Sequence, residues 1–201
     1  MEPSAKGSIV MGVVAVLRKL RKAGQLSNEQ LSARLSGAAL ELLEQKVELA
    51  RWYPMPVFAE LVAFEWEVVG KRDPEYARRS GALSADNQIE NGRYQQMDYA
   101  KRAKKADTSN ALLLQARLIT TVTAAFYNFL ETSVAIDPAR PNRLEIVYSN
   151  AAAFPEPLRY ATEGFMTQIN QRQGSSRRWQ SERTAPDRIL FWMELPERLV
   201  R

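Results

Sequence analysis

The spacing of the apolar residues changes near residue 129, and this change limits the folds that the chain can adopt. Before it, apolar residues recur every three or four positions, which is the pattern of a helix with one buried face. After it, Leu144, Ile146 and Tyr148 alternate with polar residues, as in a strand with one buried face. The sequence therefore predicts an α+β fold, in which a helical N-terminal half packs on a small antiparallel sheet.

The first helix is expected over about residues 7–23, with Ser8 as its cap, and a second helix is expected to begin at Ser27. The apolar run at residues 9–17 is too short to cross a bilayer and is followed by basic residues. We therefore expect it to be part of a core helix, and we expect no transmembrane segment.

Prolines and glycines mark the helices that follow. Pro54 ends one helical stretch and Pro56 suits the first turn of the next, which is strongly apolar and therefore expected to be buried as far as Gly70. Residues 93–128 predict two more helical pieces. The β-branched run at residues 119–123 is compatible with either a helix or a strand.

The C-terminal half predicts the order strand–strand–helix–strand–strand. These elements are expected at residues 129–136, 143–149, 155–173, 177–184 and 188–195. With 201 residues and no internal repeat, the chain can bury one full core, so we expect a single domain over residues 1–201. That domain would be mainly helical over residues 7–128 and would form a sheet with one helix over residues 129–195.

The sequence contains no histidine and no cysteine, and this removes most catalytic and metal-binding chemistry. Without imidazole there is no Ser-His-Asp relay and no histidine-ligated haem. Without thiolate there are no zinc ribbons, iron–sulfur clusters or disulfides. A chain without cysteine also fits a reducing cytosol. We therefore expect a cytoplasmic, non-enzymatic protein that holds no metal and no cofactor.

Carboxylates are the remaining candidates for acid–base chemistry or metal binding. Glu41, Glu44 and Glu48 share one helical face, but basic residues lie between them and favour a solvated surface. Glu65 and Glu67 lie in the apolar helix, so at least one of them is expected to be partly buried and paired. A structural ion pair is the favoured interpretation, and a general acid is the alternative.

Basic residues cluster in three places along the chain, and the net charge is +5. A nucleic acid could contact such clusters through its phosphates, with neighbouring tryptophans stacking on bases. A basic nucleic-acid-binding regulator is therefore the alternative function, whereas solvated helix and strand faces are the favoured interpretation. The candidate basic-surface residues are Lys101, Arg102, Lys104, Lys105, Arg177 and Arg178.

Short motifs along nearly the whole chain carry a resemblance to a known family. They are Lys6-Gly7-Ser8 at the start of a helix, Trp52-Tyr53-Pro54 leading into Phe58 and Leu61, Gly70-x-x-Asp73-Pro74, Arg79-x-Gly81, Ser84-Ala85-Asp86 and Glu163-Gly164-Phe165. With these motifs the chain resembles a paralogous domain family expanded in myxobacteria. That family is similar to the four-vinyl-reductase-type and haem-NO-binding-like domains, which share the NO-signalling and Golgi-transport ligand-binding fold.

The resemblance implies a sensor or adaptor domain, often dimeric through its helices, with an internal apolar cavity for a small ligand. The chain departs from the wider pattern at the metal ligands, because haem-binding relatives use a helix histidine that is absent here. Vinyl-reductase-type domains often carry cysteine in the last hairpin, where this chain has Ser181 or Glu182, and Ile189. Histidine-ligated haem and a cysteine metal site are therefore excluded, and an apolar ligand or none remains.

The leading hypothesis is a non-enzymatic signalling or scaffold domain that binds a partner protein and forms a homodimer. An apolar small molecule is a further expected ligand, whereas nucleic acid is the less favoured partner. For each candidate pocket residue, plain core packing is the alternative role. These candidates are Phe58, Phe64, Trp66, Phe126, Phe165 and Trp192.

Overall fold

The computed structural model describes residues 2–90, 108–137, 139–172 and 174–195, and it confirms the predicted α+β fold class. The helices are α1 (Gly7–Lys22), α2 (Asn28–Ser32), α3 (Gly37–Glu44), α4 (Met55–Val68), α5 (Pro74–Glu90), α6 (Thr108–Phe126) and α7 (Glu156–Arg172). The strands are β1 (Ser4–Lys6), β2 (Trp52–Pro54), β3 (Glu131–Asp137), β4 (Arg140–Ser149), β5 (Gln180–Ala185) and β6 (Arg188–Glu194). A short 3-10 turn at Ala151–Ala153 precedes α7.

Strands β1 and β2 form a small antiparallel ladder that the sequence pattern does not reveal. Ala5 lies opposite Tyr53 in this ladder. Each strand has only 3 residues, which is too short for apolar and polar residues to show a clear alternation. The stretch before Met55, predicted from Pro54 as a break between helices, is therefore a strand that leads directly into α4.

The predicted cap of α1 is wrong, because the helix begins at Gly7 and already includes Ser8. The amides of Gly7 and Ser8 instead donate to the carbonyls of Arg51 and Leu49, at 2.8 and 3.1 Å. A Cβ on Gly7 would overlap the carbonyl of Glu48, so this close approach requires glycine. The segment before β2 thus satisfies amides that a capping side chain would otherwise satisfy.

Helix α1 contains the apolar run that was expected to be a core helix. Its 16 residues place Val10, Val14 and Leu17 in the N-terminal cluster of buried side chains, as the helical spacing predicts. Among the described residues, no helix combines the length and the apolar character needed to cross a bilayer.

Four antiparallel strands form the C-terminal sheet, in the order β3–β4–β6–β5. Alternate residues of its two central strands are buried, and these are Leu144, Ile146, Tyr148, Ile189, Phe191 and Met193. The alternation predicted for these strands is therefore confirmed. Strand β3 begins at Glu131 rather than at residue 129, because Phe129 instead packs against both clusters of buried side chains.

Two clusters of buried side chains form the interior. The N-terminal cluster lies among α1–α4 and includes Leu61, and the C-terminal cluster lies between the sheet and α5–α7 and includes Phe191. Tyr127, Phe129 and Leu158 pack against both clusters. This shared packing is what a single domain requires, and the one-domain organisation stays a prediction.

The β-branched run at residues 119–123 lies within α6, which settles its ambiguity in favour of a helix. Ile119 is buried in the C-terminal cluster. The Thr123 hydroxyl donates to the carbonyl of Ile119 at 2.9 Å. A buried threonine is thereby satisfied within the helix, so burial overrides the β-propensity of this run.

Helices α5 and α7 cross at very short range through two glycines. A Cβ on Gly81 would overlap the carbonyl of Ala161, and a Cβ on Gly164 would overlap the carbonyl of Arg78. The two backbones therefore meet with no side chain between them. Beside this contact, Arg78 Nε donates to Glu163 at 2.6 Å, and the Glu163 side chain is only 3% exposed. The glycines and this ion pair hold α5 against α7.

Replacing Gly81 or Gly164 by alanine is expected to lower the free energy of unfolding by about 2 kcal/mol or more, because each methyl group would overlap a main-chain carbonyl. Gly12→Ala is the matched control, since a Cβ at Gly12 in α1 would meet no described atom within 4 Å. That variant is expected to gain about 0.5–1 kcal/mol through helix propensity. Urea unfolding followed by circular dichroism measures all three, and equal stabilities would contradict a tight crossing.

Candidate functional site

A cavity of about 600 Å³ lies between the two clusters of buried side chains. Helices α1, α4, α5, α6 and α7 all contribute to its wall, and Tyr148 contributes from β4. Its volume falls within the range of about 300–1,000 Å³ that is common for small-molecule sites. The cavity therefore has the size of a ligand site and touches both halves of the fold.

Most of the cavity wall is apolar, because each surrounding helix turns one face toward it. On α7 the wall positions recur every three or four residues, as one helix face requires. The apolar wall residues include Ile9, Val13, Phe58, Val62, Ile119, Val122, Phe126, Leu158, Phe165 and Met166. Such a wall favours a ligand with a large apolar surface.

The carboxyl of Glu65 is the main polar feature of this wall. Glu65 is 8% exposed, and the hydroxyl of Tyr76 donates to its Oε1 at 2.6 Å. Burial raises the pKa of this carboxyl, and the hydrogen bond from Tyr76 offsets part of the rise. Among the wall residues that the structure describes, Glu65 is the only one with a carboxylate, ammonium or guanidinium group. A lone buried carboxyl of this kind marks a candidate functional group.

A second polar pair lies where α6 meets β4. The hydroxyls of Thr123 and Tyr148 are 2.8 Å apart, and Thr123 already donates to the carbonyl of Ile119. Tyr148 is therefore the donor of the shared hydrogen bond. Burial raises the pKa of Tyr148, so its hydroxyl stays neutral. Because both hydroxyls find partners within the wall, this pair has little left to offer a ligand.

The cavity opens to solvent between α1 and α5. Met11 on α1 and Leu83 on α5 line it there, and they are 42% and 63% exposed. Large apolar side chains at the rim of an apolar cavity extend its surface outward. The opening gives a small molecule a route to the interior.

Four of the six predicted pocket residues line the cavity, and these are Phe58, Trp66, Phe126 and Phe165. They come from α4, α6 and α7, which the chain brings together from distant positions. Trp66 also donates its indole N–H to the carbonyl of Asp73 at 2.9 Å. Its ring is therefore held in place at the end of α4.

The other two predicted pocket residues lie elsewhere, which corrects the expectation for them. Phe64 belongs to the N-terminal cluster, on a different face of α4 from the wall residues, and the Arg34 guanidinium lies 5.6 Å from its ring centroid. Trp192 lies on the face of β6 opposite to Phe191, where the Arg143 guanidinium is 4.3 Å from its ring. Aromatic character alone does not indicate which face of an element a residue occupies.

A second predicted acid of the apolar helix, Glu67, forms an ion pair, as expected for at least one of Glu65 and Glu67. It binds Arg34 at 2.6 Å and Arg72 at 3.1 Å, and the hydrogen bonds from these arginines lower the pKa of its carboxyl. Glu44, one of the three acids expected on a solvated face, pairs with Arg21. In the described part of the chain, no group of three or more acidic side chains is placed to hold a metal ion.

Two of the predicted basic-surface residues, Arg177 and Arg178, lie in the described structure. The Arg177 guanidinium donates to the carbonyl of Glu194, and Arg178 is exposed. Trp179 is 3% exposed, so it cannot stack on a base. Four further candidates lie outside the described residues, and these are Lys101, Arg102, Lys104 and Lys105.

The hydroxyl of Tyr76 is a polar group of the cavity wall that the sequence patterns do not indicate. It follows Glu65 by 11 residues and reaches it from the next helix. A Cβ on Gly70 would overlap the Tyr76 ring, so the turn between α4 and α5 needs glycine to bring this tyrosine close. Gly70 and the motif Asp73-Pro74 at the start of α5 are the signals that could have placed Tyr76 beside α4.

The fold is shared with H-NOX domains of known structure. A mutant of the T. tengcongensis H-NOX aligns with a TM-score of 0.55 and 13% identity, over 94% of this chain and 96% of that one. An S. oneidensis H-NOX protein in the Fe(II)NO state aligns with a TM-score of 0.52 and 14% identity, over 92% and 99%. An oxygen-binding H-NOX domain related to soluble guanylate cyclases aligns with a TM-score of 0.55 and 13% identity, over 94% of both chains. No protein-family profile and no curated protein matches the sequence.

Haem is the group that this fold suggests, and the donor atoms of the cavity do not fit it. The compared structures include H-NOX proteins described with haem. This chain has no histidine or cysteine to ligate iron. The hydroxyl of Tyr76 is hydrogen-bonded to Glu65, and that of Tyr148 to Thr123. Burial raises the pKa of both tyrosines, and this disfavours the phenolate that would ligate iron. The described donor atoms of the wall therefore do not suit an iron porphyrin.

Glu65 and Glu67 are expected to give stability opposite dependences on pH. Well below pH 4.5, the ordinary pKa of glutamate, Glu65 is protonated in the folded and unfolded chains alike. As the pH rises from 4.5 toward the raised folded-state pKa, the unfolded chain ionises first, so wild type progressively loses free energy of unfolding relative to Glu65→Gln. The stabilisation from Glu67, whose folded-state pKa is lowered, is present above pH 4.5 and is lost as the pH falls.

Urea unfolding of wild type, Glu65→Gln and Glu67→Gln between pH 3 and about 8 measures both slopes. The difference between wild type and each variant isolates one carboxyl. Parallel pH profiles for the two variants would contradict the different environments of these acids.

Proposed function

We propose that the chain is a non-enzymatic sensor domain that binds a small apolar molecule in the cavity and signals its binding to a protein partner. The observation that carries the proposal is the cavity of about 600 Å³ between the two buried clusters. Ligand sites of this kind enclose an apolar body and use a few polar groups to orient it. Glu65 and Tyr76 supply such groups here.

A ligand in the cavity would contact both halves of the fold. Val13 and Phe58 from the N-terminal cluster share its wall with Ile119 and Met166 from the C-terminal cluster. Binding would therefore favour the arrangement in which both clusters close on the ligand. A partner protein that contacts both halves would then bind the ligand-loaded and ligand-free forms with different affinity.

The rim of the cavity supports the protein-contact part of the proposal. Met11 and Leu83 are exposed apolar side chains that line the cavity beside its opening. Exposed apolar side chains that cluster at one place are typical of interaction surfaces. A second copy of the chain is the first partner to test, because the resemblance described above implies a helix-mediated dimer.

The non-enzymatic part of the proposal rests on the donor set. Acid–base catalysis by carboxylates alone needs two acids that converge, and the described cavity wall contains one, Glu65. The chain also has no histidine or cysteine that could act as base or nucleophile. A cytoplasmic location, inferred from the lack of cysteine, belongs to the same proposal.

Membership in the myxobacterial paralogous family is the finer part of the proposal. The four motif glycines, which include Gly164 at the crossing of α5 and α7, lie where a side chain would not fit, and this supports the resemblance physically. Gly7 meets the carbonyl of Glu48, and Gly81 and Gly70 meet the backbone of α7 and the Tyr76 ring. Motif residues with such steric roles are expected to be shared by chains that build the same cavity.

Val62→Trp is expected to block ligand binding, because Val62 lies in the cavity wall and the larger ring would occupy the cavity. Val57→Trp is the matched control, since Val57 lies on the same helix and also packs on the N-terminal cluster but does not line the cavity. Native mass spectrometry of the purified proteins reports a retained ligand and the oligomeric state together. Fluorescence titration with naphthylmethanol, an apolar probe, reports the affinity.

Wild type and Val57→Trp are expected to bind the probe, and Val62→Trp is expected to lose binding by about tenfold or more while keeping its circular dichroism spectrum. Wild-type protein that retains no molecule and binds no probe would contradict the proposal. Equal probe affinity in the two tryptophan variants would place binding outside the cavity.

A further inference from the structure

We propose that the ligand of the cavity carries a protonated amine at one end of its apolar body, and that Glu65 pairs with this amine. The inference rests on the proposed function and adds the chemical class of the ligand. It starts from the single carboxyl in an otherwise uncharged wall. The recognised molecule would then be an amphipathic amine, with an aromatic or alkyl body.

The Glu65 carboxyl is placed so that one of its oxygens is free for a ligand. Oε1 accepts the hydrogen bond from Tyr76 at 2.6 Å, whereas Oε2 accepts no hydrogen bond from the described residues. Glu65 is 8% exposed and lines the cavity, so the free oxygen is desolvated by the fold. Tyr76 acts as a positioning residue, because its hydroxyl binds Oε1 and leaves Oε2 to accept a donor from a ligand.

No basic group of the protein faces this carboxyl from the described walls. The wall residues contributed by α1, α6 and α7 are uncharged, and Tyr127, which follows α6, adds a phenol to the wall. The ionisable wall residue on α5 is Tyr76, and the one on β4 is Tyr148, whose hydroxyl is hydrogen-bonded to Thr123. Burial raises the pKa of Tyr76 and the charge of Arg79 on α5 offsets part of that rise, but the Arg79 side chain is 66% exposed and pairs with Asp73.

The chemistry of a desolvated carboxyl selects among three ligand classes. An ammonium group would neutralise the charge and donate to the free oxygen, and this charge-assisted bond is stronger than a neutral one. An alcohol on the same apolar body would gain only a neutral hydrogen bond. A carboxylate would place a second negative charge beside the first, which an apolar wall disfavours. Nearby aromatic rings such as Trp66 and Phe58 also suit a cation rather than an anion.

Three probes that share one apolar body separate these classes, and they are naphthylmethylamine, naphthylmethanol and naphthoate. Fluorescence titration at pH 7.5 of wild type, Glu65→Gln and Glu67→Gln gives nine affinities, with Glu67→Gln as the matched control on the outer face of α4. Wild type and Glu67→Gln are expected to bind the amine about tenfold more tightly than the alcohol and to bind naphthoate most weakly. Glu65→Gln is expected to lose the preference for the amine and to keep its affinity for the alcohol.

A pH series on wild-type protein keeps the proposal falsifiable if Glu65→Gln does not fold. Amine affinity is expected to fall as the pH is lowered through the raised pKa of Glu65, while alcohol affinity stays constant. Equal binding of amine and alcohol by wild type, or a preference for the amine that survives in Glu65→Gln, would overturn the role of Glu65 and leave the cavity as an apolar site. Binding of none of the probes by wild type would overturn both the amine assignment and the proposed function.

Discussion

The close crossing of α5 and α7 is the contact on which the cavity depends. Gly81 and Gly164 let the two backbones meet, and the wall positions of both helices lie within a turn or two of this contact. A side chain at either glycine would separate the helices and move the wall. Glu163 strengthens the arrangement, since it binds Arg78 of α5 and also accepts a hydrogen bond from Ser181 of β5. The buried acid thereby ties the helix pair to the edge of the sheet.

The cavity wall keeps one acid without a basic partner among the described residues, whereas two other acids nearby are paired with arginines. Glu67 binds two arginines on the outer face of α4, and Glu163 is paired within the α5–α7 contact. Glu65 has only the Tyr76 hydroxyl as a partner among the described residues, and burial raises its pKa. A leucine or methionine at this position would pack with less cost to stability. A stability cost at the wall of a cavity is most simply explained by a role in binding.

Local patterns predicted much of the fold, and long-range contacts set the limits of that prediction. The capping box at Ser27 and the alternation along β6 are read from neighbouring residues, so both could be predicted. The sequence treats Glu65 and Glu67 alike because they lie 2 positions apart in one apolar helix. The two carboxyls differ in environment because Tyr76 of α5 contacts Glu65, whereas Arg34, which follows α2, pairs with Glu67. Both partners come close to α4 only in the folded chain. For the same reason, the sequence does not show that Phe64 and Trp192 lie away from the cavity.

Shape alone gives an apolar cavity little selectivity, because one methylene group changes binding by only about 1–3 kcal/mol. Selectivity must then come from polar groups in the wall, and the usual metal ligands, histidine and cysteine, are absent from this sequence. The hydroxyls of Thr123 and Tyr148 are hydrogen-bonded to each other. Among the described wall groups, the Glu65 carboxyl is therefore the charged one that can still accept a hydrogen bond from a ligand. In the proposal, this chain with the H-NOX fold therefore recognises its ligand through one desolvated charge, that of Glu65.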